Sequence, residues 1–430
     1  TERKAVVITH DEASANELAA DLSSMGLKCL NFPLRDYCIG NLSGYSREYE
    51  HKRTDTLSAL ADGAFDLLTV SVDAATQLTV PPEILENARF TLKTGDIVDT
   101  SELTERLLGA GYNRSELCEG AGQFSVRGGI FDIFPVTAKN PLRIEFWGDE
   151  IDGISYFDVD TQRRTDTVDS IEITPACEVL YNPQELLEKL KNYRDTEKSL
   201  TAKQTERINA DISALEAGIA IPPDRYLPLI YSGGETVFDY FGDALVFVSK
   251  SASITERYKS MEIQQSADVE SYMEEGYLSS ATASLWLTKA DFWCCVEGSV
   301  ILENFPRTSY ELKVKDIVNF NYKRSTPWGG DVKVLCEDIA YTLEQKGNVV
   351  ILAGEQRAAK VLTAELNEKG IAAVFEEAPT EIKSGVTVTL GGLSSGFEIP
   401  SQKFMLITHR YVASEGKKHK KRPKNAQEIG

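Results

Sequence analysis

Residues Gly122–Arg163 read GQFSVRGGIFDIFPVTAKNPLRIEFWGDEIDGISYFDVDTQR, short strand-like runs punctuated by glycine and proline, with no helical periodicity. Within them Leu142–Trp147 alternates strictly. Leu142, Ile144 and Phe146 fall on one face, and Arg143, Glu145 and Trp147 on the other. The first face belongs to a core. The second is either an ordinary exposed strand face or a contact surface, and Trp and Arg are among the side chains most enriched at interface hot spots. Arg127 precedes Gly128-Gly129, where a side-chain-free backbone allows a tight turn or close approach. A guanidinium placed there can make a bidentate contact to a partner carboxylate.

Around this stretch, the candidate strands 123–126, 129–134, 142–147, 151–157 and 168–174 define a small β-rich domain over 112–176. It interrupts an α/β layer. Before it, residues 1–111 alternate buried-strand runs (Ala5–Thr9, Lys28–Phe32, Asp66–Ser71) with helical spacing at Glu12–Met25 and Ser46–Ala61. After it, 177–320 continues the layer and includes a highly charged helical stretch over 182–218. A second, smaller α/β domain is expected at 321–412. Within it Asp331–Phe375 reads as helix–strand–helix–strand, with Val349–Ala353 a buried strand and Glu355–Lys369 a helix, and Val386–Leu390 and Phe404–Thr408 are further strands. Residues 413–430 read as a basic linker, and Thr1 and Gly430 both read as cuts in something longer.

The net charge of −20 is uneven: residues 417–424 hold six of the 46 Lys and Arg and no acid, while the rest of the chain carries all 66 acidic residues. So acidic a body disfavours extensive nucleic-acid contact. Lys417, Lys418, Lys420, Lys421, Arg422 and Lys424 are either a solvated linker or a nucleic-acid tether. The seven cysteines form no C-x-x-C pair, and the four histidines are dispersed, which argues against a metal site. No apolar run approaches the roughly 18–20 residues that span a bilayer, so no membrane partner and a cytoplasmic location are expected.

Catalytic signatures are missing. No G-x-x-x-x-G-K-[ST] cradle for phosphates and no G-x-S-x-G elbow occurs. The run Val6–Glu12 superficially resembles a strand ending in acidic metal ligands, but Asp11 followed by helix formers reads as a helix cap.

The run F-S-V-R-G-G-I-F-D-I-F-P, followed by P-L-R-I-E-F-W-G-D-E-I-D and F-D-V-D-T-Q-R, resembles the signature shared by transcription-repair coupling factors (the Mfd family) and the excision-repair protein UvrB. There it marks the UvrA-binding domain. Pro33–Tyr49 is too short for UvrB's Tyr-rich hairpin, and its Tyr37, Tyr45 and Tyr49 are spread out. Gly385–Pro400 looks like the third domain of coupling factors, and the basic run followed by Asn425–Gly430 resembles their linker towards an RNA-polymerase-interacting domain. The likeness is strongest at 86–175 and 345–410.

What this resemblance implies is a degenerate helicase-like (UvrB-like) α/β domain with an inserted UvrA-binding domain, followed by a second smaller α/β domain. It places UvrA-facing roles on Arg127, Arg143 and Trp147, the last usually Phe in these families. It implies a non-catalytic adaptor in nucleotide excision repair, with no cofactor in this stretch. ATP with Mg²⁺, duplex DNA and RNA polymerase would be handled by other parts of the full-length translocase. A UvrB-like nucleotide-hydrolysing motor half is the alternative. The family further implies masking of the UvrA face by a C-terminal domain.

Overall fold

A computed structural model describes residues 3–40, 47–231, 233–325, 327–379 and 381–409. The chain divides between Lys315 and Asp316 into two compact units, residues 20–27 grouping with the second.

In the first unit β1 (Ala5–Thr9), β2 (Cys29–Phe32), β3 (Leu67–Ser71), β12 (Leu245–Ser249) and β13 (Val300–Leu302) form a parallel sheet in the order β13-β12-β1-β3-β2. A parallel sheet needs crossover helices on its faces, so its central strands read as continuous apolar runs. All five residues of β3 are accordingly buried. Val6, Ile8, Leu68, Val70 and Val248 join one core, to which the helix Ser251–Glu274 contributes Ile254, Tyr258 and Met261. Asp11 caps the helix Glu12–Ser24, its Oδ1 accepting the Ser14 N–H at 2.8 Å. Tyr37 is packed inward, donating to the Leu285 carbonyl at 2.8 Å, and Tyr45 lies outside the described residues.

The interruption expected at 112–176 appears as a six-stranded sheet. It is built from β5 (Asn113–Arg114), β6 (Gln123–Arg127), β7 (Ile130–Ile133), β8 (Leu142–Trp147), β9 (Glu150–Phe157) and β10 (Arg164–Val168), each beside the next in chain order. Its core reaches further back than composition suggested. Phe90 and Leu92 of β4 (Phe90–Lys93), with Leu103 and Leu107 of the helix Thr100–Gly109, pack with Phe124, Phe131, Ile133, Leu142 and Ile144. The cause is a long-range ladder: β4 pairs antiparallel with β11 (Ser170–Ile173), Phe90 opposite Ile173. Each large apolar side chain buried here contributes about 1.5–3 kcal/mol.

Where the chain leaves this domain it meets a buried ionic cluster. Arg53 donates from Nε and Nη2 to the two carboxylate oxygens of Glu178, both at 2.8 Å, and from Nη1 to the Pro33 carbonyl and Gln77 Oε1 at 2.9 Å. Thr79 Oγ1 also donates to Glu178. Burial alone raises the Glu178 pKa, but the Arg53 and Arg35 guanidiniums hold it below the usual carboxylate range. Beyond it, the charged stretch forms two helices, Pro183–Thr196 and Ala202–Glu216, sharing Leu186, Leu190, Ile208 and Ile212 in a separate core.

The second unit has one six-stranded sheet. Parallel strands β15 (Asn348–Leu352), β16 (Ala373–Phe375), β17 (Gly385–Thr389) and β19 (Phe404–Thr408) carry the helices Val332–Glu344 and Gln356–Glu368. Antiparallel β18 (Gly396–Ile399) and β14 (Lys323–Ser325) extend one edge, giving the order β14-β18-β19-β15-β17-β16. This is the second α/β domain the sequence predicts.

Candidate functional site

Two hairpins build the site. β6 turns into β7 through Gly128-Gly129, and β8 into β9 through Gly148-Asp149. Gly128 and Gly148 sit at φ +60° and +64°, the left-handed first position of a two-residue turn. Gly129 is needed for a different reason. Its carbonyl accepts the Phe146 N–H at 2.8 Å, and a Cβ there would lie 3.0 Å from the Phe146 oxygen. Gly129 therefore lets the first turn come close to the β8 backbone at Phe146.

The alternation read from the sequence is realised. Leu142 and Ile144 are buried, and Phe146 packs on Phe131 with ring centroids 5.5 Å apart. On the opposite face, Arg143 sits directly across from Asp132 on β7 and Ser155 on β9. Arg143 donates from Nε to Asp132 Oδ1 at 2.7 Å and from Nη2 to Oδ2 at 2.8 Å. Arg127 reaches the same Oδ2 through Nη2 at 2.7 Å. Arg143 also covers the Phe157 ring at 4.5 Å and donates to Gln162 Oε1 at 3.2 Å. These bonds to the Asp132 carboxylate raise the Arg143 pKa above the usual guanidinium value, against the opposing effect of burial.

Exposure separates the predicted residues. The Arg127 side chain is 47% exposed and that of Arg143 only 14%, while Trp147 is 83% exposed at the hairpin end. Glu145, between Arg143 and Trp147, pairs with Arg164. The three predicted residues thus share one sheet face: Arg127 and Trp147 are presented outward, and Arg143 is largely committed inside the protein. Sequence reasoning missed Asp132. It sits in an apolar run, F-D-I-F, and only the cross-strand register reveals that both arginines converge on it. The basic residues from Lys417 to Lys424 lie outside the described residues. Among the described residues no cluster of His, Cys, Asp and Glu could hold a metal, and no helix is long and apolar enough to cross a membrane.

This β-rich insertion belongs to a defined class of module: residues 90–178 match the family model of the UvrB interaction domain. The chain as a whole is similar to transcription-repair-coupling factors. It is 27% identical to that of Staphylococcus aureus (strain USA300) over 99% of this chain, and 26% identical to that of Bacillus subtilis (strain 168) over 100%. In both cases it spans 38% of the relative's length. The matched module starts at Phe90, where the β4–β11 ladder begins, and ends at Glu178, in the buried ionic cluster.

Proposed function

We propose that this chain is the UvrA-recruiting region of a transcription-repair coupling factor, a non-catalytic adaptor that brings excision repair to RNA polymerase stalled at damage. The observation that carries the reading is the pairing, on the UvrB interaction domain, of a half-exposed guanidinium (Arg127) with an exposed indole (Trp147) on one rigid sheet face. Arg and Trp in this arrangement are the usual anchors of a protein interface. The adaptor role in this stretch is supported by the absence of a phosphate-binding loop from the sequence, and by Asp11 filling the helix start after β1 with its own carboxylate. In this reading ATP with Mg²⁺, duplex DNA and RNA polymerase engage other parts of the full-length protein, in the cytoplasm, and this stretch needs no cofactor. A calorimetric titration of purified UvrA into the chain tests it. Wild type should bind, and Trp147→Ala should weaken binding about 30-fold or more while the fold is retained. Absence of wild-type binding, or a folded Trp147→Ala variant that binds as tightly as wild type, overturns the assignment.

A further inference from the structure

The docking face extends beyond Arg127 and Trp147, to a residue from a distant part of the chain. Ile97 is 81% exposed, nearly as much as Trp147. It does not hang on a loose loop. The Gly95 N–H donates to the Ile151 carbonyl at 2.8 Å, the Ile151 N–H to the Asp96 carbonyl at 2.9 Å, and the Val98 N–H to the Asp149 carbonyl at 2.8 Å. Residues 95–98 thereby add a short rung to the edge of β9, with Ile97 directly opposite Glu150. Val98, one residue on, packs against the domain core, so Ile97 points the other way.

Glu150 is in turn the cross-strand partner of Trp147. Directly paired residues share a face, so Trp147, Glu150 and Ile97 form one row across three strands. With strands about 4.8 Å apart, the two apolar residues are held on backbones about 10 Å apart, with Glu150 between them. The Glu150 side chain is exposed, and its carboxylate makes no ion pair or hydrogen bond among the described residues. A stiff β-branched side chain and an indole, both largely exposed, flank this carboxylate, and the space above Glu150 between them is a candidate slot for one side chain.

We propose that this slot receives a Lys or Arg side chain of the docking partner. Its aliphatic stem lies between Ile97 and Trp147, and its cationic head meets Glu150 and the indole face. The partner surface must then carry opposite charges in a fixed order: an acidic group for Arg127 and a basic one for Glu150. The proposal rests on UvrA being the partner of this face, and it adds the chemistry by which the face selects its register.

The test is titration of purified UvrA against the whole chain carrying Ile97→Ala, Glu150→Gln, Glu150→Lys or Asp149→Asn. All four variants alter exposed positions, so melting temperatures should stay near wild type, and they are measured alongside. Ile97→Ala and Glu150→Gln should each weaken binding about tenfold, and Glu150→Lys more. Glu150→Gln should also flatten the salt dependence of binding, whereas Asp149→Asn, a change of the same charge one residue away in the turn, should leave affinity and salt dependence as in wild type. Wild-type binding that Ile97→Ala and Glu150→Lys leave unchanged overturns the slot while the UvrA reading stands. Equal effects of Asp149→Asn and Glu150→Gln overturn it as well, because they would report only the general field. No wild-type binding overturns both.

Discussion

Asp132 holds Arg143 through both of its carboxylate oxygens while lending one of them to Arg127, so a single buried acid sets the position of two basic side chains on the strands either side of its own. Asp132→Asn keeps the shape and removes the charge. It should cost about 2 kcal/mol or more of stability and weaken UvrA binding at least about tenfold, since Arg127 loses its orientation. Chemical denaturation and the same UvrA titration, run in parallel, check both parts. Unchanged affinity in the folded variant would mean that Arg127 needs no placement.

Arg127 and Arg143 should separate by stability. Arg143→Ala strips the bidentate partner from a carboxylate that is 1% exposed and uncovers the Phe157 ring, so a loss of about 2–3 kcal/mol is expected. Arg127→Ala removes one bond from a half-exposed side chain and should cost at most about 1 kcal/mol. Urea midpoints of the two variants decide this. Arg127 is therefore the cleaner probe of docking.

Glu178 ties the exit of the inserted domain to the α/β layer. Glu178→Ala leaves the fully buried Arg53 without its carboxylate, and a loss of about 3–5 kcal/mol is expected. Because Arg53 also holds the Pro33 carbonyl and Gln77, the loss should appear in hydrogen exchange around residues 33 and 77 as well as around 178. Protection lost only near 178 would contradict this coupling.

His51 lies at the same junction, its Nε2 buried and without a hydrogen-bond partner. Burial and the nearby Arg47 lower its pKa to about 4. The unfolded chain, with its imidazole near pH 6.5, takes up the proton first, so stability is full above about pH 6.5 and falls as pH drops towards 4. Subtracting the pH–stability curve of His51→Gln from that of wild type should isolate this slope. A difference curve flat across that window would contradict the prediction.

The basic run makes a separate prediction. If Lys417, Lys418, Lys420, Lys421, Arg422 and Lys424 tether nucleic acid, deleting 417–424 should make the log–log salt dependence of duplex DNA affinity shallower by up to about 5. Fluorescence anisotropy at several salt concentrations reads the slope, and an unaltered slope rules the tether out.

Much of this was legible because the signals are local. The apolar runs at Ala5–Thr9 and Asp66–Ser71 announce parallel strands, and the alternation of Leu142–Trp147 announces which side faces out. What escaped depends on pairings between distant residues. Phe90 meets Ile173 across some eighty residues, so the start of the inserted domain cannot be found by texture change near Tyr112. Asp132 reads as a stray acid in an apolar strand until register sets it beside Arg143. Ile97 reads as one more loop residue, and only its backbone bonds to Asp149 and Ile151 make it part of a face. The helix Ser251–Glu274 was hidden differently: its many charged and polar residues blur the apolar stripe, and only its first half supplies buried residues.

The β4–β11 ladder has a consequence for how such a module travels. Entry and exit of the insertion are hydrogen-bonded neighbours, Phe90 beside Ile173, and its core is distinct from that of the layer it interrupts. To its host the whole stretch is topologically one long loop whose two ends are already clasped. It could be lifted out and spliced into another fold wherever two chain ends lie a strand's width apart, taking the face of Arg127 and Trp147 along and leaving the host sheet's strand order intact.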